Sequence, residues 1–173
     1  MGIRQLIPRK IKKILKKFLI INIDTKSIYE LPQKVMSRQF EGKTCIVTGG
    51  AGGIGRAISI RMAYEGALVY VCGRTKESVE SVVQEIHGNG GQAKPLILDV
   101  TQFDKIQETL HSIFDKEKIN FLVNCAGGGP RSAAKPFIKQ DYNILNNIIQ
   151  TNLMGTINMC RGCVTYMPRG GVL

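Results

Sequence analysis

From Lys43 onward, apolar runs of strand length alternate with segments of helical period, and few folds accept that order. The runs at 44–48 (TCIVT), 67–72 (ALVYVC), 93–98 (AKPLIL) and 119–124 (INFLVN) are mostly apolar along their whole length. Strands of that kind belong to a parallel sheet buried on both faces. Between them, apolar residues at 54, 57, 58, 60, 62 and 63 predict a well-buried helix over 54–64. A second helix is predicted over 75–87, with Val79, Val82, Val83 and Ile86 on one face and GNGG at 88–91 ending it. Thr101 is placed to cap a third over 102–116, with Ile106, Leu110, Ile113 and Phe114 inward. A long helical pattern runs over 141–166, and Pro168 and the GG at 170–171 break it. The expected fold is α/β, a Rossmann-like doubly wound parallel sheet over residues 40–173, reaching only the start of a fifth strand at Val172 and Leu173.

In such sheets ligands bind beyond the carboxyl ends of the strands. TGGAGGIG at 48–55 lies there, between the first strand and the first helix. Two registers fit it: Gly50, Gly52 and Gly55 match G-x-G-x-x-G, and Gly49, Gly53 and Gly55 match T-G-x-x-x-G-x-G. In either, the backbone can come close to a ligand, and the helix start near Ile54 offers free N–H groups to a pyrophosphate. A dinucleotide is the implied ligand. NAD sites usually carry an acid at the end of the second strand to hold the ribose 2′-hydroxyl. Here VYVCGRTKE has no acid before Glu77, and Arg74 stands in that place. A planar guanidinium suits a 2′-phosphate, so NADP(H) is expected in preference to NAD(H).

TGGAGGIG, the LDV at 98–100, the NCAG at 124–127 and the TNLMGT at 151–156 resemble, in order and spacing, the short-chain dehydrogenase/reductase family. The FLVNCAGGG stretch is most similar to its enoyl-CoA and dienoyl-CoA reductases, the remainder equally to 3-oxoacyl-carrier-protein reductases. The resemblance implies that Thr48, Gly49, Gly50, Gly53, Ile54 and Gly55 shape the cofactor loop. It implies that Asp99 and Val100 contact the adenine, and that Asn124, Ala126 and Gly127 stabilise the central strand beside the cofactor ribose. Cys125 stands where the commoner family form has a second Asn. Asn152 matches the family's catalytic Asn, placed to bend its helix and hold a water in a proton relay.

The same resemblance implies hydride transfer between the nicotinamide and a carbonyl or activated alkene. A Tyr acts as general acid, its pKa lowered by a Lys four residues on, and a Ser holds the substrate oxygen. These 173 residues contain no Tyr-x-x-x-Lys: Tyr29, Tyr64, Tyr70, Tyr142 and Tyr166 are followed four positions later by Gln33, Leu68, Arg74, Asn146 and Gly170. The expectation is a truncated reductase that holds the adenosine and pyrophosphate half of the site and is inactive alone. A homo-oligomer is expected only of a full-length form, with the exposed face of 141–166 a solubility hazard.

The net charge of +11 is concentrated at the amino terminus, where residues 1–23 hold seven Lys or Arg and no acid. The other 17 basic and 13 acidic residues leave +4, too little to argue for nucleic acid. Residues 1–35 read as a basic amphipathic extension, with apolar positions 3, 6, 7, 11, 14, 15, 18 and 19 on one stripe and Lys12, Lys13, Lys16 and Lys17 opposite. Three readings stay open: residues 1–20 lie on an anionic membrane surface, they form an organelle presequence, or translation starts at Met36 and they are a non-functional extension. The longest uncharged stretch, 18–23, is far short of a membrane span. Five cysteines without framework spacing suit a reducing compartment, and cytoplasm, at a membrane face or not, is the expected location. Cys160 and Cys163 form a lone CxxC, read as helical neighbours one turn apart rather than as a zinc or redox site, and no metal is expected.

Overall fold

The computed structural model describes residues 38–115, 117–129 and 135–173. The expected amphipathic arm and its membrane-facing stripe lie outside the described residues. The elements are β1 (Thr44–Thr48), α1 (Gly53–Tyr64), β2 (Leu68–Gly73), α2 (Lys76–Gly88), β3 (Gln92–Ile97), α3 (Phe103–Phe114) and β4 (Phe121–Asn124). Then come α4 (Tyr142–Ile149), a π-helical turn at Gln150–Met154 and α5 (Gly155–Cys163). These last three run end to end, so the long helical pattern of the sequence is one helical rod with a bulge in it.

The four strands are parallel, in the order β3-β2-β1-β4. The chain winds outward from β1 to β3, then crosses back to place β4 on the other side of β1. That reversal opens a crevice between the carboxyl ends of β1 and β4. Val172 bridges Phe121 in parallel on the free side of β4: its N–H donates to the Asn120 carbonyl at 3.0 Å, and its carbonyl accepts from Leu122 N–H at 2.9 Å. This is where the sequence places the start of a fifth strand.

Strand alternation divides the core. Ile46, Tyr70, Cys72, Leu96 and Leu122 join Ile106, Leu110 and Phe114 of α3 and Met159 and Cys163 of α5 in one buried cluster. On the other face, Cys45, Val47, Val69 and Val71 are buried, and α1 and α2 pack there with Ile60, Ala63, Val79, Val82, Val83 and Ile86. Each large apolar side chain so buried stabilises the fold by about 1.5–3 kcal/mol. Glycines set how closely α5 docks: a Cβ at Gly155 would sit 2.5 Å from Val100 Cγ2, and one at Gly162 2.8 Å from Ile106 Cγ2.

Three expectations change. Helix α1 buries only the face of Gly55, Ser59, Ile60 and Ala63, while Ile54 is 77% exposed. Ile54 lies in the first turn, which rises above the sheet edge and has nothing to pack on. Thr101 does not cap α3; Gln102 takes the cap position and makes no side-chain cap bond. Asp99 Oδ1 has captured Thr101 instead, accepting from its N–H at 2.9 Å and its hydroxyl at 2.8 Å. Finally, α3 spans Phe103–Phe114, stopping at its last inward apolar residue, two positions short of the expected 116.

All five thiols are free, and Cys45, Cys72 and Cys163 are buried. Burial pushes each of these three up to about 12, which keeps them protonated and inert. No group of His, Cys, Asp or Glu among the described residues is arranged to hold a metal.

Candidate functional site

Thr48 closes β1 and ties it to β4. Its buried Oγ1 accepts from Cys125 N–H and Ala126 N–H, both at 3.1 Å, and its carbonyl accepts from Cys125 N–H at 3.2 Å. The hydroxyl is thus a strut between the two loops at the crevice. It holds the site's shape and has little left for a ligand.

The glycine run leaves β1 under severe steric pressure. Gly49 has φ +61°, and a Cβ there would meet the Cys125 carbonyl oxygen at 2.7 Å and Ala126 Cα at 2.9 Å. A Cβ at Gly50 would meet Val47 O at 2.7 Å, and one at Gly55 would overlap the carbonyl of Gly49. Gly50 N–H donates to Cys72 O at 3.0 Å, which carries the turn over β2. Gly52 and Gly53 are different: both are exposed, and a Cβ at Gly53 would touch no protein atom within 4 Å. Sterics therefore favour neither sequence register whole. The protein itself needs Gly49, Gly50 and Gly55, whereas Gly53 leaves room for something that is not protein.

That room lies at the start of α1. Gly52 is the cap residue and offers no side-chain bond, the first turn carries no acid, and the first backbone N–H engaged in the helix is that of Arg56, to Gly52 O at 2.6 Å. The N–H groups of Gly53, Ile54 and Gly55 precede it and suit an anion. Two arginines are near in sequence. Arg56 is ion-paired to Glu85 of α2. Arg74, just beyond β2, is exposed and has no hydrogen-bond or ion-pair partner among the described residues. Asp99 at the end of β3 keeps Oδ2 after holding Thr101 with Oδ1. Val100 has its side chain in the core against Gly155, and Asn158 Nδ2 donates to its carbonyl at 3.0 Å, so it has only backbone to offer a ligand.

Across the crevice, Asn152 clamps the loop that follows β4. Its Oδ1 accepts from Gly128 N–H at 2.8 Å, while Nδ2 donates to Gly128 O at 3.1 Å and Ile148 O at 2.8 Å. Both amide hydrogens are spent, which leaves one Oδ1 lone pair for a water. A Cβ at Gly127 would overlap Asn152 Oδ1, so glycine there is what lets the amide reach the loop. The π-helical turn carries Asn152 at its middle and turns it toward Gly128. Gly128, with φ +113°, takes both bonds of this clamp, and sequence reasoning did not single it out. The second glycine of GGG was the available signal.

Thr48, Gly49, Gly50, Gly53, Ile54, Gly55, Asn124, Ala126, Gly127 and Asn152 thus converge on one crevice, with Arg74 and Asp99 beyond the ends of β2 and β3 on the same edge. Uncapped helix N–H groups, open space at Gly53 and an unpaired cation fit a dinucleotide. Comparison with known proteins agrees. The short chain dehydrogenase family model matches residues 43–172. A 3-oxoacyl-[acyl-carrier-protein] reductase of Thermotoga maritima is 35% identical over 130 residues, 75% of this chain and 52% of the relative. A Brucella melitensis 3-oxoacyl-[acyl-carrier protein] reductase solved with bound NAD superposes with TM-score 0.69 at 26% identity, covering 79% of this chain and 54% of that one. A dehydrogenase of Beutenbergia cavernae, described as a putative NAD(P)-dependent gluconate 5-dehydrogenase with bound NADP, gives 0.67 at 29% identity, covering 75% and 50%. The chain spans about half the length of these relatives. With a crevice of this form and a family match across its whole sheet, the chain belongs to the short-chain dehydrogenase family, whose members use nicotinamide dinucleotides.

Proposed function

We propose that these residues form the adenosine- and pyrophosphate-binding half of an NADP(H)-dependent oxidoreductase acting on a carbonyl or enoyl substrate, an acyl thioester among the candidates. The observation that carries the cofactor preference is Arg74, unpaired among the described residues at the end of β2 with no acid beside it. The N–H groups of Gly53, Ile54 and Gly55 would take the pyrophosphate and the Arg74 fork the 2′-phosphate. Asn152 would hold the Gly127–Gly128 loop against the crevice. The bound nicotinamide would supply or accept the hydride. The relative from Thermotoga maritima is by name a 3-oxoacyl-[acyl-carrier-protein] reductase, and its likeness to this chain supports an oxoacyl substrate class.

The 173 residues supply no Tyr-x-x-x-Lys, and on that ground we infer cofactor binding without turnover by this stretch alone. A non-catalytic NADP(H)-binding module is the second reading, favoured by the same absence. NADPH oxidation by the 173-residue chain with any carbonyl or enoyl substrate would sink both inferences. Titration of NADPH and NADH by nucleotide fluorescence tests the preference itself. The wild type is expected to bind NADPH about tenfold more tightly, and Arg74→Ala to lose about that factor, the size of one exposed charge-assisted contact, with NADH unaffected. Equal affinities for the two cofactors would remove the role given to Arg74.

The basic stripe of residues 1–20 supports a second contact, with an anionic membrane surface. Among the described residues no helix is long and apolar enough to cross a membrane. Co-sedimentation of the chain with phosphatidylserine vesicles should fall as salt rises; salt-independent or absent binding ends that reading.

A further inference from the structure

We propose that the Asn124–Cys160 contact is the positioning element that sets where the 125–128 loop leaves the sheet, so that Cys160, which belongs to none of the motifs, governs dinucleotide affinity. The consequence for affinity rests on the dinucleotide reading above; the effect on the loop does not.

Asn124 is the last residue of β4 and pairs with Thr48 across the crevice. Its side chain leaves the sheet on the side of α5. There Nδ2 lies 3.5 Å from Cys160 Sγ, the one side-chain hydrogen-bond partner Asn124 has among the described residues. Asn124 Oδ1 is buried and has no partner among the described residues. A buried amide oxygen without a donor costs about 1–3 kcal/mol, so such a group normally finds one. With the amide turned over, the Cys160 thiol is placed to supply it. Amide oxygen and nitrogen interchange by a half-turn, and Cys160 S–H can donate to Oδ1 in one orientation as Sγ accepts from Nδ2 in the other. Cys160 therefore matches the amide whichever way it lies, which neither an alanine nor a valine can do.

The depth of Cys160 is fixed by packing. Gly155 and Gly162 let α5 press onto Val100 and Ile106, and Met159 and Cys163 on either side of Cys160 are fully buried. The partner of Asn124 is thus held on a rigid element. Immediately after Asn124, the N–H groups of Cys125 and Ala126 converge on Thr48 Oγ1, and two residues further on Gly128 meets Asn152. The loop is anchored by Thr48 from β1 and by Asn152 from the π turn. Asn124 on Cys160 is the third anchor, and it acts at the point where the chain turns.

The test compares Cys160→Ala and Cys160→Ser with the wild type, each as the full 173-residue chain, by amide hydrogen exchange without cofactor and by NADPH titration. Exchange at Cys125, Ala126 and Gly128 is expected to quicken about tenfold in Cys160→Ala, the size of one buried polar group left unpartnered, and to return toward wild type in Cys160→Ser. NADPH affinity should weaken by about the same factor in Cys160→Ala alone. A merely structural role would lower protection throughout the β4–α5 cluster without singling out the loop, and serine would not restore it. Unchanged loop exchange in Cys160→Ala overturns the proposal. If the wild type fails to bind NADPH, the dinucleotide reading falls, and the exchange comparison still decides whether Cys160 positions the loop.

Discussion

The two edges of the sheet both depend on glycine, for different reasons. At the amino edge, Gly42, Gly90 and Gly170 all have φ between +68° and +84°, and a Cβ on any of them would meet no atom within 4 Å. They are the hinges of turns, required by dihedral alone. At the carboxyl edge, Gly49, Gly50, Gly55 and Gly127 are pressed against backbone or against Asn152, so their lack of a side chain is a matter of space. A cavity of about 760 Å³ opens at the amino edge, lined among others by Lys43, Lys118, Asn120 and Arg169. The carboxyl ends of α1 and α2 point to that end, and cations there answer their carbonyl dipoles. Size of hollow is therefore a poor guide to chemistry in this fold. The crowded edge, where backbones are brought together around a small opening, is the one that presents free N–H groups.

Substitutions at single glycines can break or sharpen that contrast. The largest effect is expected at Gly55→Ala, whose Cβ has only the fixed backbone of Gly49 to displace, itself held against Cys125. Denaturant unfolding should show a loss of more than about 3 kcal/mol, and a wild-type midpoint would refute the steric account. Gly90→Ala at the opposite edge should cost only about 1–2 kcal/mol, the strain of a left-handed residue in open space, with Gly90→Asn recovering part of it. If Gly90→Ala proves as costly as Gly55→Ala, space is not what separates the edges. Smallest in stability is Gly53→Ala, at the first position of α1 with nothing near it. Its unfolding free energy should stay within about 0.5 kcal/mol of wild type, or rise. Its NADPH affinity should nevertheless fall several-fold in the titration used for Arg74, because the space the methyl fills belongs to the ligand. An unchanged affinity would mean that the opening at Gly53 is not where the pyrophosphate lies.

What could be read from the sequence followed the range of the interaction. Strand and helix order came through because period and glycine placement are local signals: Val79, Val82, Val83 and Ile86 are buried on α2 as their spacing implies. Boundaries slipped where side chains compete with backbone. Ile119 and Asn120 look like strand, yet β4 starts at Phe121, with Asn120 Oδ1 accepting from Thr44 N–H at 2.9 Å. Thr101 looks like a cap until Asp99 captures it. That the candidate residues share one edge of the sheet was legible from strand order, but their contacts were not. Thr48 to Cys125 spans 77 positions, Asn124 to Cys160 36 and Gly128 to Asn152 24, distances over which no periodicity carries information.

The π turn at Gln150–Met154 has one further consequence. A helix is a screw, and one surplus residue in a turn advances everything after it by about 100°. Without that advance, a helix that aimed Asn152 at Gly128 would set Met159 and Cys163 at a different azimuth from the core they now fill. The surplus residue acts as a phase shifter between two halves of one rod. It lets the first half be timed to a loop and the second to a hydrophobic floor, and removing a single residue from 150–154 would put the two out of step.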